Sequence, residues 1–416
     1  MNYVPIESLR VFLDIGLLDM GEQPMEVGRL ALINRKIYFE YAPGFAKARL
    51  ELSPIKLPIK AGAQSMREAI FDGLFGVFND SLPDGWGRLL LDRQIRSRGI
   101  PPELLGPLDR LSYVGKYGMG ALIYEPTVEK LERHPDQIDL DRIAKESMKV
   151  IEGELDEVVS ELFKLAGSSA GARPKIMVGV DNKRKHLIHG QQKLPAGFEH
   201  WLIKFSASGD GKDAGAIEYA YSLMAAAAQI DIMPTHLFKT KKGNGFFGVK
   251  RFDRDLDQRL HLHSLSGLIH SDHRIPSIGY ELVLRATQQL TKDLRDVERA
   301  FRLSCFNVFA HNRDDHSKNF SYLMDKTGRW RFSPAYDLTF SQGPGGEHCT
   351  TIAGEGKSPG AKHLQMLARK FGIAESEATS TIDEVRAAVA SWTTFADQAG
   401  VSKSSTANIA KVLKGP

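Results

Sequence analysis

Cysteine is scarce in this sequence, which has two in 416 residues, Cys305 and Cys349. So few cysteines exclude a disulfide framework or a zinc cluster and are typical of a reducing, cytoplasmic setting. Long apolar runs are also missing, because the longest run of small apolar residues, 223–228, is too short to cross a bilayer. The N-terminus lacks the basic and apolar segments of a signal peptide. We therefore expect a cytoplasmic protein with no membrane partner.

A strong charge of one sign is absent as well. The formal net charge is +4, which does not demand a nucleic-acid partner. Hydrophobic residues make up 42% and charged residues 25%, as in an ordinary globular protein. A chain of 416 residues exceeds one average domain, so two or more lobes are expected.

Hydrophobic periodicity changes along the chain from spacing typical of strands to spacing typical of helices. The predicted strands are 10–15, 25–30, 37–41, 121–124, 176–180, 201–205, 246–249, 319–324 and 330–332. The predicted helices are 140–165, 216–228, 280–289, 294–310, 364–370, 375–398 and 406–413. A polar, proline-containing segment at 125–141 is the best candidate for a domain boundary.

This order predicts an α+β fold with three parts. Residues 1–130 would form a strand-rich N-terminal subdomain. Residues 131–280 would form a kinase-like N-lobe with an ATP loop and a hinge. Residues 281–416 would form a mostly helical C-lobe with the catalytic loop. The second and third parts thus resemble the two lobes of a kinase core.

The strongest chemical signal lies between a predicted helix and a short strand, at 311–319. Phosphoryl transfer needs a carboxylate that accepts the proton of the attacking hydroxyl, and oxygen ligands for Mg²⁺. Asp314 and Asn319 have the D-x-x-x-x-N spacing of a kinase catalytic loop. A predicted hairpin then leads to Asp337, at the place of a second metal ligand. Lys318 is either a contact to the transferred phosphate or a solvated side chain.

A lysine inside an apolar strand, Lys204, is the second signal. A buried ammonium is costly unless it is paired, and ATP phosphates are one such partner. Glu218, on the following predicted helix, could hold this lysine as in kinases. On its own, Lys204 is equally well explained as an edge lysine that reaches water.

Two further segments are weaker signals. The loop 167–175, which contains Ser168 and Gly171, has small residues that let backbone amides approach phosphates. It lacks the Walker A and G-x-G-x-x-G spacings, and a plain turn is its simpler interpretation. Residues 248–254 follow a predicted strand where an adenine-binding hinge would lie, but an exposed strand end with a basic flank also explains them.

Taken together, these segments resemble the HipA family of toxin kinases from type II toxin–antitoxin modules. The family's motifs are S-x-A-G-A-x-x-K, a strand lysine, V-x-R-F-D-R, D-x-H-x-K-N and Y-D. The matching residues, in the same order, are Ser168–Lys175, Lys204, Val249–Arg254, Asp314–Asn319 and Tyr336–Asp337. The stretch 82–88, Leu-Pro-Asp-Gly-Trp-Gly-Arg, is similar to a motif of the family's first domain.

The resemblance implies a role for each matched residue. Asp314 would be the catalytic base, and Asn319 and Asp337 would hold Mg²⁺. Lys204 would bind the ATP phosphates. The implied nucleotide contacts also include Lys250, Arg251, Phe252, Asp253, Lys318, Ser168 and Gly171, with the backbone near Arg251 and Phe252 on adenine and Asp253 on the ribose. Ser168, or its neighbour Ser169, would be the site of silencing autophosphorylation.

The resemblance also implies partners. Members of the family phosphorylate cytoplasmic proteins, notably aminoacyl-tRNA synthetases. They pair with a small helix-turn-helix antitoxin, HipB, that binds operator DNA, so this chain would reach DNA through the antitoxin complex. Two other interpretations compete: a small-molecule kinase of the aminoglycoside-phosphotransferase type, and an inactive scaffold that only binds antitoxin and DNA.

Overall fold

The structure is a computed structural model. It describes residues 3–16, 23–48, 50–128, 137–154, 158–167, 171–190, 193–207, 209–241, 243–255 and 258–414. The predicted autophosphorylation sites, Ser168 and Ser169, lie outside these residues. Within the described ranges, no helix is both long enough and apolar enough to cross a membrane.

The N-terminal part is built on a four-stranded antiparallel sheet in the order β3-β2-β1-β4. Side chains of β1 and β3 alternate between buried and more exposed, as expected for a sheet with one packed face. The elements are β1 (Ser8–Leu13), β2 (Met25–Ile33), β3 (Lys36–Tyr41), α1 (Pro43–Lys47), α2 (Gly76–Asn79), α3 (Gly85–Ser97), α4 (Pro107–Val114) and β4 (Leu122–Glu125).

The middle part contains a five-stranded antiparallel sheet in the order β6-β5-β7-β9-β8. Strand β5, which lies between β6 and β7, is buried along most of its length, and α6 packs against it. The elements are α5 (Leu140–Glu152), α6 (Val159–Ala166), β5 (Lys175–Asp181), β6 (Leu187–His189), β7 (Phe198–Lys204), α7 (Ala214–Ala227), β8 (Thr235–Phe238) and β9 (Phe246–Lys250).

The last part is mostly helical, with short strands around the catalytic loop. The elements are β10 (Arg254–Asp255), β11 (Gln258–Arg259), β12 (His261–Ser264), α8 (Leu265–Ile269), β13 (Ile278–Gly279), α9 (Tyr280–Thr291), α10 (Leu294–Phe309), β14 (Ser321–Met324), β15 (Trp330–Phe332), β16 (Thr350–Thr351), α11 (Ala361–Lys370), α12 (Glu375–Ala390), α13 (Trp392–Gln398) and α14 (Lys403–Leu413). The mixture of a strand-rich start, a sheet lobe and a helical lobe confirms the predicted α+β class.

In the described ranges, two apolar clusters form the core; the first crosses both predicted boundaries and the second crosses the one at 130. One joins the N-terminal sheet to the C-terminal helices, with Phe39 and Phe78 in the same cluster as Phe306 and Trp392. The other joins α3 to α5, α6 and the five-stranded sheet around Trp86. The division at 130 and 280 therefore remains a prediction. β12 lies before the predicted boundary at 280 but pairs with β14, which lies after it.

Candidate active site

The predicted catalytic loop follows α10 and contains two neighbouring aspartates with opposite environments. The Asp314 side chain keeps 55% of its surface exposed. Asp315 is buried, and its carboxylate accepts hydrogen bonds from the Tyr280 hydroxyl at 2.9 Å and the Thr350 amide at 3.2 Å. His348 Nδ1 lies 2.9 Å from the same carboxylate. Asp315 thus anchors the loop, and Asp314 is the carboxylate that can reach a substrate.

The two ends of the D-x-x-x-x-N motif meet through a hydrogen bond. The Asn319 side-chain nitrogen donates to the Asp314 carbonyl at 2.7 Å, so the amide oxygen is the atom suited to ligate a cation. Partial desolvation raises the pKa of Asp314, and the nearby Asp337 carboxylate adds to the rise while His316 opposes it. A carboxylate with a raised pKa is a better proton acceptor than an ordinary one.

Asp337 lies beside this loop, as the sequence predicted. Its neighbour Tyr336 donates a hydrogen bond from its hydroxyl to the Lys318 carbonyl at 2.5 Å, and Ser321 Oγ is 2.6 Å from the same hydroxyl. Asp337 itself has φ +57°, in the left-handed region that non-glycine residues seldom adopt. Strained backbone of this kind concentrates at functional sites.

Lys204 connects the sheet lobe to Asp337. It ends β7, and its Nζ lies 2.5 Å from Asp337 Oδ1 and in a closer ion pair with Glu218 of α7. Burial opposes the charge on Lys204, but the two carboxylates outweigh it and raise the pKa of this lysine. The same ammonium, despite burial, lowers the pKa of Asp337. The geometry excludes the interpretation of Lys204 as an edge lysine that reaches water.

A second buried lysine stands directly opposite Lys204. Lys175 begins β5, and the register pairs it with Lys204 across the two strands. Burial, together with the charge of Lys204, lowers the pKa of Lys175 to about 8. The two lysines and the two carboxylates near them make a compact charged cluster. Lys175 lies in the 168–175 motif, but the family resemblance implied no role for it.

The N-terminal part also contributes to this region through Asp84. One carboxylate oxygen is 2.5 Å from Lys318 Nζ, and the other accepts a hydrogen bond from the Gly171 amide. Lys318 is therefore ion-paired rather than freely solvated, and the Gly171 amide is engaged. Asp84 lies within the 82–88 motif, but nothing local in the sequence indicates its partners.

The predicted hinge follows β9. Lys250 pairs through its side chain with Glu199 at 2.6 Å, and its amide donates to the Pro234 carbonyl. The Arg251 amide is likewise engaged, with the His200 carbonyl. The ring of Phe252 lies 5.3 Å from that of Tyr336, next to Asp337. The hinge therefore borders the charged cluster, and adenine would have to use the remaining backbone groups.

The geometry does not agree with the expected ribose contact of Asp253. Its carboxylate has no exposed surface and accepts two hydrogen bonds from Arg251, at 2.9 and 2.7 Å. It also accepts from Arg254 at 2.8 Å and from the Gly120 amide at 2.7 Å. Burial opposes its charge, yet the two arginines outweigh it and lower the pKa of Asp253. Asp253 is therefore an internal clamp that holds two arginines and a backbone amide together. Sequence spacing alone could not reveal that its side chain is buried.

The residues present fit a magnesium–nucleotide complex. Mg²⁺ usually takes one or two protein carboxylates and completes its shell with phosphate and water oxygens. In the described part of the chain, no group of three or more His, Cys, Asp or Glu side chains could hold a metal ion by itself. The Asn319 amide oxygen and the Asp337 carboxylate are a ligand set of this sparse kind, and the two lysines would face the phosphates.

Comparison with known proteins identifies the family. A model of the HipA-like C-terminal domain matches residues 167–392, and a model of the HipA N-terminal domain matches residues 19–125. The chain belongs to the HipA family. This confirms the resemblance drawn from the sequence motifs. The HipA C-terminal match includes Lys204, Asp314, Asn319 and Asp337, and the HipA N-terminal match includes Asp84.

One curated relative is the Sinorhizobium fredii protein Y4mE, whose name describes it as a candidate kinase. It is 26% identical over 196 residues, which are 43% of this chain and 39% of Y4mE. The alignment thus spans well under half of that relative's length. A solved structure of Shewanella oneidensis HipA with HipB and operator DNA is similar over 98% of this chain and 95% of that one. The TM-score is 0.66 and the identity 16%, which shows a shared fold.

Proposed function

We propose that this chain is an ATP- and Mg²⁺-dependent serine/threonine protein kinase that acts as the toxin of a type II toxin–antitoxin module. The observation that carries the proposal is the bridge made by Lys204. Its ammonium pairs with Glu218 of the sheet lobe and with Asp337, which lies beside the catalytic loop. A lysine held by a helix glutamate and facing a loop aspartate is the arrangement that protein kinases use for nucleotide phosphates.

Each residue has a defined task in this proposal. Lys204 and Lys175 bind the ATP phosphates, and Lys318 approaches the phosphoryl group that is transferred. Asn319 and Asp337 hold Mg²⁺, which when bound neutralises phosphate charge. Asp314 orients the hydroxyl of the protein substrate and accepts its proton.

Three finer parts of the proposal rest on the family resemblance. The substrate is a cytoplasmic protein such as an aminoacyl-tRNA synthetase. Ser168, or Ser169, becomes phosphorylated by the chain itself and silences it. The partner is a HipB-like helix-turn-helix antitoxin, through which the complex binds operator DNA. The S. oneidensis HipA structure, which holds HipB and operator DNA, supports the last part.

Labelled ATP tests the kinase proposal directly. The purified chain, mixed with labelled ATP, Mg²⁺ and a cell lysate, should transfer label to protein, and the Asp314→Asn variant should do so about a thousandfold more slowly. Asp383→Asn, on an exposed part of α12, is the matched control and should transfer label at the wild-type rate. Mass spectrometry of the chain after reaction should find phosphate at 168 or 169.

Three results would count against parts of this proposal. Label that appears only on small molecules would favour the aminoglycoside-phosphotransferase type. No transfer by the wild type would favour a scaffold that only binds. Equal rates for wild type and Asp314→Asn would remove Asp314 from the mechanism. Growth arrest by the wild type, relieved by a co-expressed helix-turn-helix protein from the same source, would support the toxin–antitoxin part.

A further inference from the structure

The helix that begins after Asp84 does not use this residue as a cap. Asp84 stands at the N-cap position of α3, where an aspartate side chain usually accepts a hydrogen bond from the first turn of its own helix. Its side chain makes no such bond. Both oxygens point away from α3 instead, one to the Gly171 amide and the other to Lys318 Nζ at 2.5 Å. The side chain therefore contributes to contacts outside its own helix.

The backbone that follows Asp84 packs closely against Gly171 and Ala172. The Trp86 amide donates to the Gly171 carbonyl at 3.0 Å, and the Trp86 ring is buried in the second apolar cluster. A Cβ on Gly85 would lie 2.4 Å from the Gly171 carbonyl oxygen and 2.7 Å from Ala172 Cα, so only glycine fits here. The position of Asp84 is thus fixed by the backbone on its C-terminal side.

Three segments that are distant in sequence therefore meet at one carboxylate. Asp84 comes from the N-terminal part, Gly171 from the loop before β5, and Lys318 from the catalytic loop. Lys318 retains 11% of its side-chain surface and Asp84 26%, so the pair is partly shielded from water. A shielded ion pair fixes the direction of a long lysine side chain more firmly than an exposed one.

We infer that Asp84 is a positioning residue of the phosphotransfer site, which holds Lys318 in place and makes the N-terminal part a component of that site. This inference rests on the proposed kinase function and deepens it. Lys318 would otherwise sample many rotamers. Fixing its ammonium beforehand matters most for a group that must meet the phosphoryl group in a narrow geometry. The pairing of Asp84 with Lys318 also gives the 82–88 motif a physical role.

The Asp84→Asn variant tests the inference. An asparagine has the same size and can still accept from the Gly171 amide, but it lacks the charge that holds Lys318. We expect kcat to fall about tenfold or more, with KM for ATP unchanged or lower, because a negative charge near the phosphates has been removed. Asp72→Asn, an exposed aspartate of the same N-terminal part, is the matched control and should leave both constants unchanged. Thermal unfolding of each variant checks that the fold is intact.

A double-mutant comparison separates positioning from a general structural effect. In a Lys318→Met background, Asp84→Asn should change kcat by less than about twofold, because the partner it acts through is gone. An equal loss in both backgrounds, or an unchanged kcat in the single Asp84→Asn variant, would overturn the inference. A rise in KM without a change in kcat would overturn it as well.

The ion pair between Asp84 and Lys318 can also be tested without measuring catalysis. Brief treatment with acetic anhydride, followed by mass spectrometry, gives the labelling rate of Lys318. That rate should be severalfold higher in Asp84→Asn than in the wild type, and similar in Asp72→Asn. An equal rate in Asp84→Asn and wild type would overturn the pairing even if phosphotransfer is present. A wild type with no phosphotransfer would instead overturn the proposed function, and the labelling would then report the pairing alone.

Discussion

At the scale of single residues, the notable feature is a pair of buried lysines on neighbouring strands. The register places Lys175 opposite Lys204, and like charges in that position repel. Glu218 and Asp337 compensate Lys204 directly. Lys175 is buried beside this group, and burial together with the charge of Lys204 lowers its pKa to about 8. A bound triphosphate would add negative charge beside both lysines.

The binding of ATP should therefore weaken at alkaline pH. Loss of the Lys175 proton above about pH 8 removes a cation from the phosphate site. We expect kcat/KM for ATP to fall by up to about tenfold per pH unit above that value. Initial rates measured between about pH 7 and pH 9.5 give this profile. An arginine at 175 keeps its charge throughout this range, so Lys175→Arg should flatten it.

Lys403→Arg, at the exposed start of α14, is the control for this measurement. It should reproduce the wild-type profile. A flat wild-type profile, or the same alkaline decline in Lys175→Arg, would show that another group is responsible.

The residues that could be predicted from the sequence are those whose signal is local. Asp314 and Asn319 share one loop at a fixed spacing, and Asp337 follows one hairpin later. The structure places Asp337 in an ion pair with Lys204 and near enough to Asp314 to raise the pKa of that carboxyl. The partners of Lys175 and Asp84 depend on strand register and on the docking of distant segments, which no local spacing encodes. For Asp253 the local motif was misleading, because it indicated a contact with the ligand whereas the side chain is buried among arginines.

At the scale of elements, the connection between β9 and β10 is held by a buried ionic clamp. Asp253 accepts hydrogen bonds from Arg251, Arg254 and the Gly120 amide. Arg254 also donates to the Gly118 and Gly120 carbonyls. The clamp ties the proposed hinge to a loop of the N-terminal part, so the two are expected to move together.

Removing the centre of this clamp should be costly. Asp253→Ala leaves Arg251 and Arg254 buried without their counter-charge, and breaking one partner of such a group destabilises a protein by about 3–5 kcal/mol. We expect a clear drop in the urea midpoint of unfolding. Asp255→Ala, two residues along and exposed, should shift the midpoint little. Similar midpoints for the two variants would mean that the clamp contributes nothing measurable.

Apolar periodicity predicted the helices where it continued over many residues, but it did not show where one helix ends and the next begins. The single predicted helix at 140–165 is two helices, because Gly153 adopts a left-handed conformation that ends α5. The predicted helix at 375–398 is likewise divided, at Ser391. Short strands such as β12 and β16 carry too few residues for a recognisable alternation, and their partners, β14 and β13, are distant in sequence.

At the scale of the whole molecule, the N-terminal part is joined to the C-terminal part by a buried polar contact. Asp80 accepts hydrogen bonds from the Ser264 amide at 2.7 Å and hydroxyl at 2.6 Å, and His263 Nδ1 lies 2.6 Å away. His263 Nε2 is 3.0 Å from Ser53 Oγ. Ser53 and His263 are buried, so this Ser-His-Asp set binds the parts together and does not offer a nucleophile to solvent.

The same junction brings two helices into backbone contact. Gly76 begins α2, and a Cβ added to it would lie 2.0 Å from the carbonyl oxygen of Gly267 in α8. Its amide also donates to His270 Nε2 at 3.2 Å. This close approach leaves no room for a methyl group. The clashing atom is the Gly267 carbonyl oxygen, which belongs to the backbone and cannot change rotamer as a side chain can.

Gly76→Ala should therefore separate the two parts slightly and destabilise the whole chain. Forcing extra carbon into a packed contact costs about 1–3 kcal/mol, which should lower the urea midpoint of unfolding. Gly44→Ala is the matched control, because Gly44 lies in α1 with no heavy atom within 4 Å of an added Cβ. That change should be neutral or stabilise by up to about 1 kcal/mol. Equal midpoints for Gly76→Ala and Gly44→Ala would show that the junction tolerates separation and that the two parts are less tightly joined than these contacts imply.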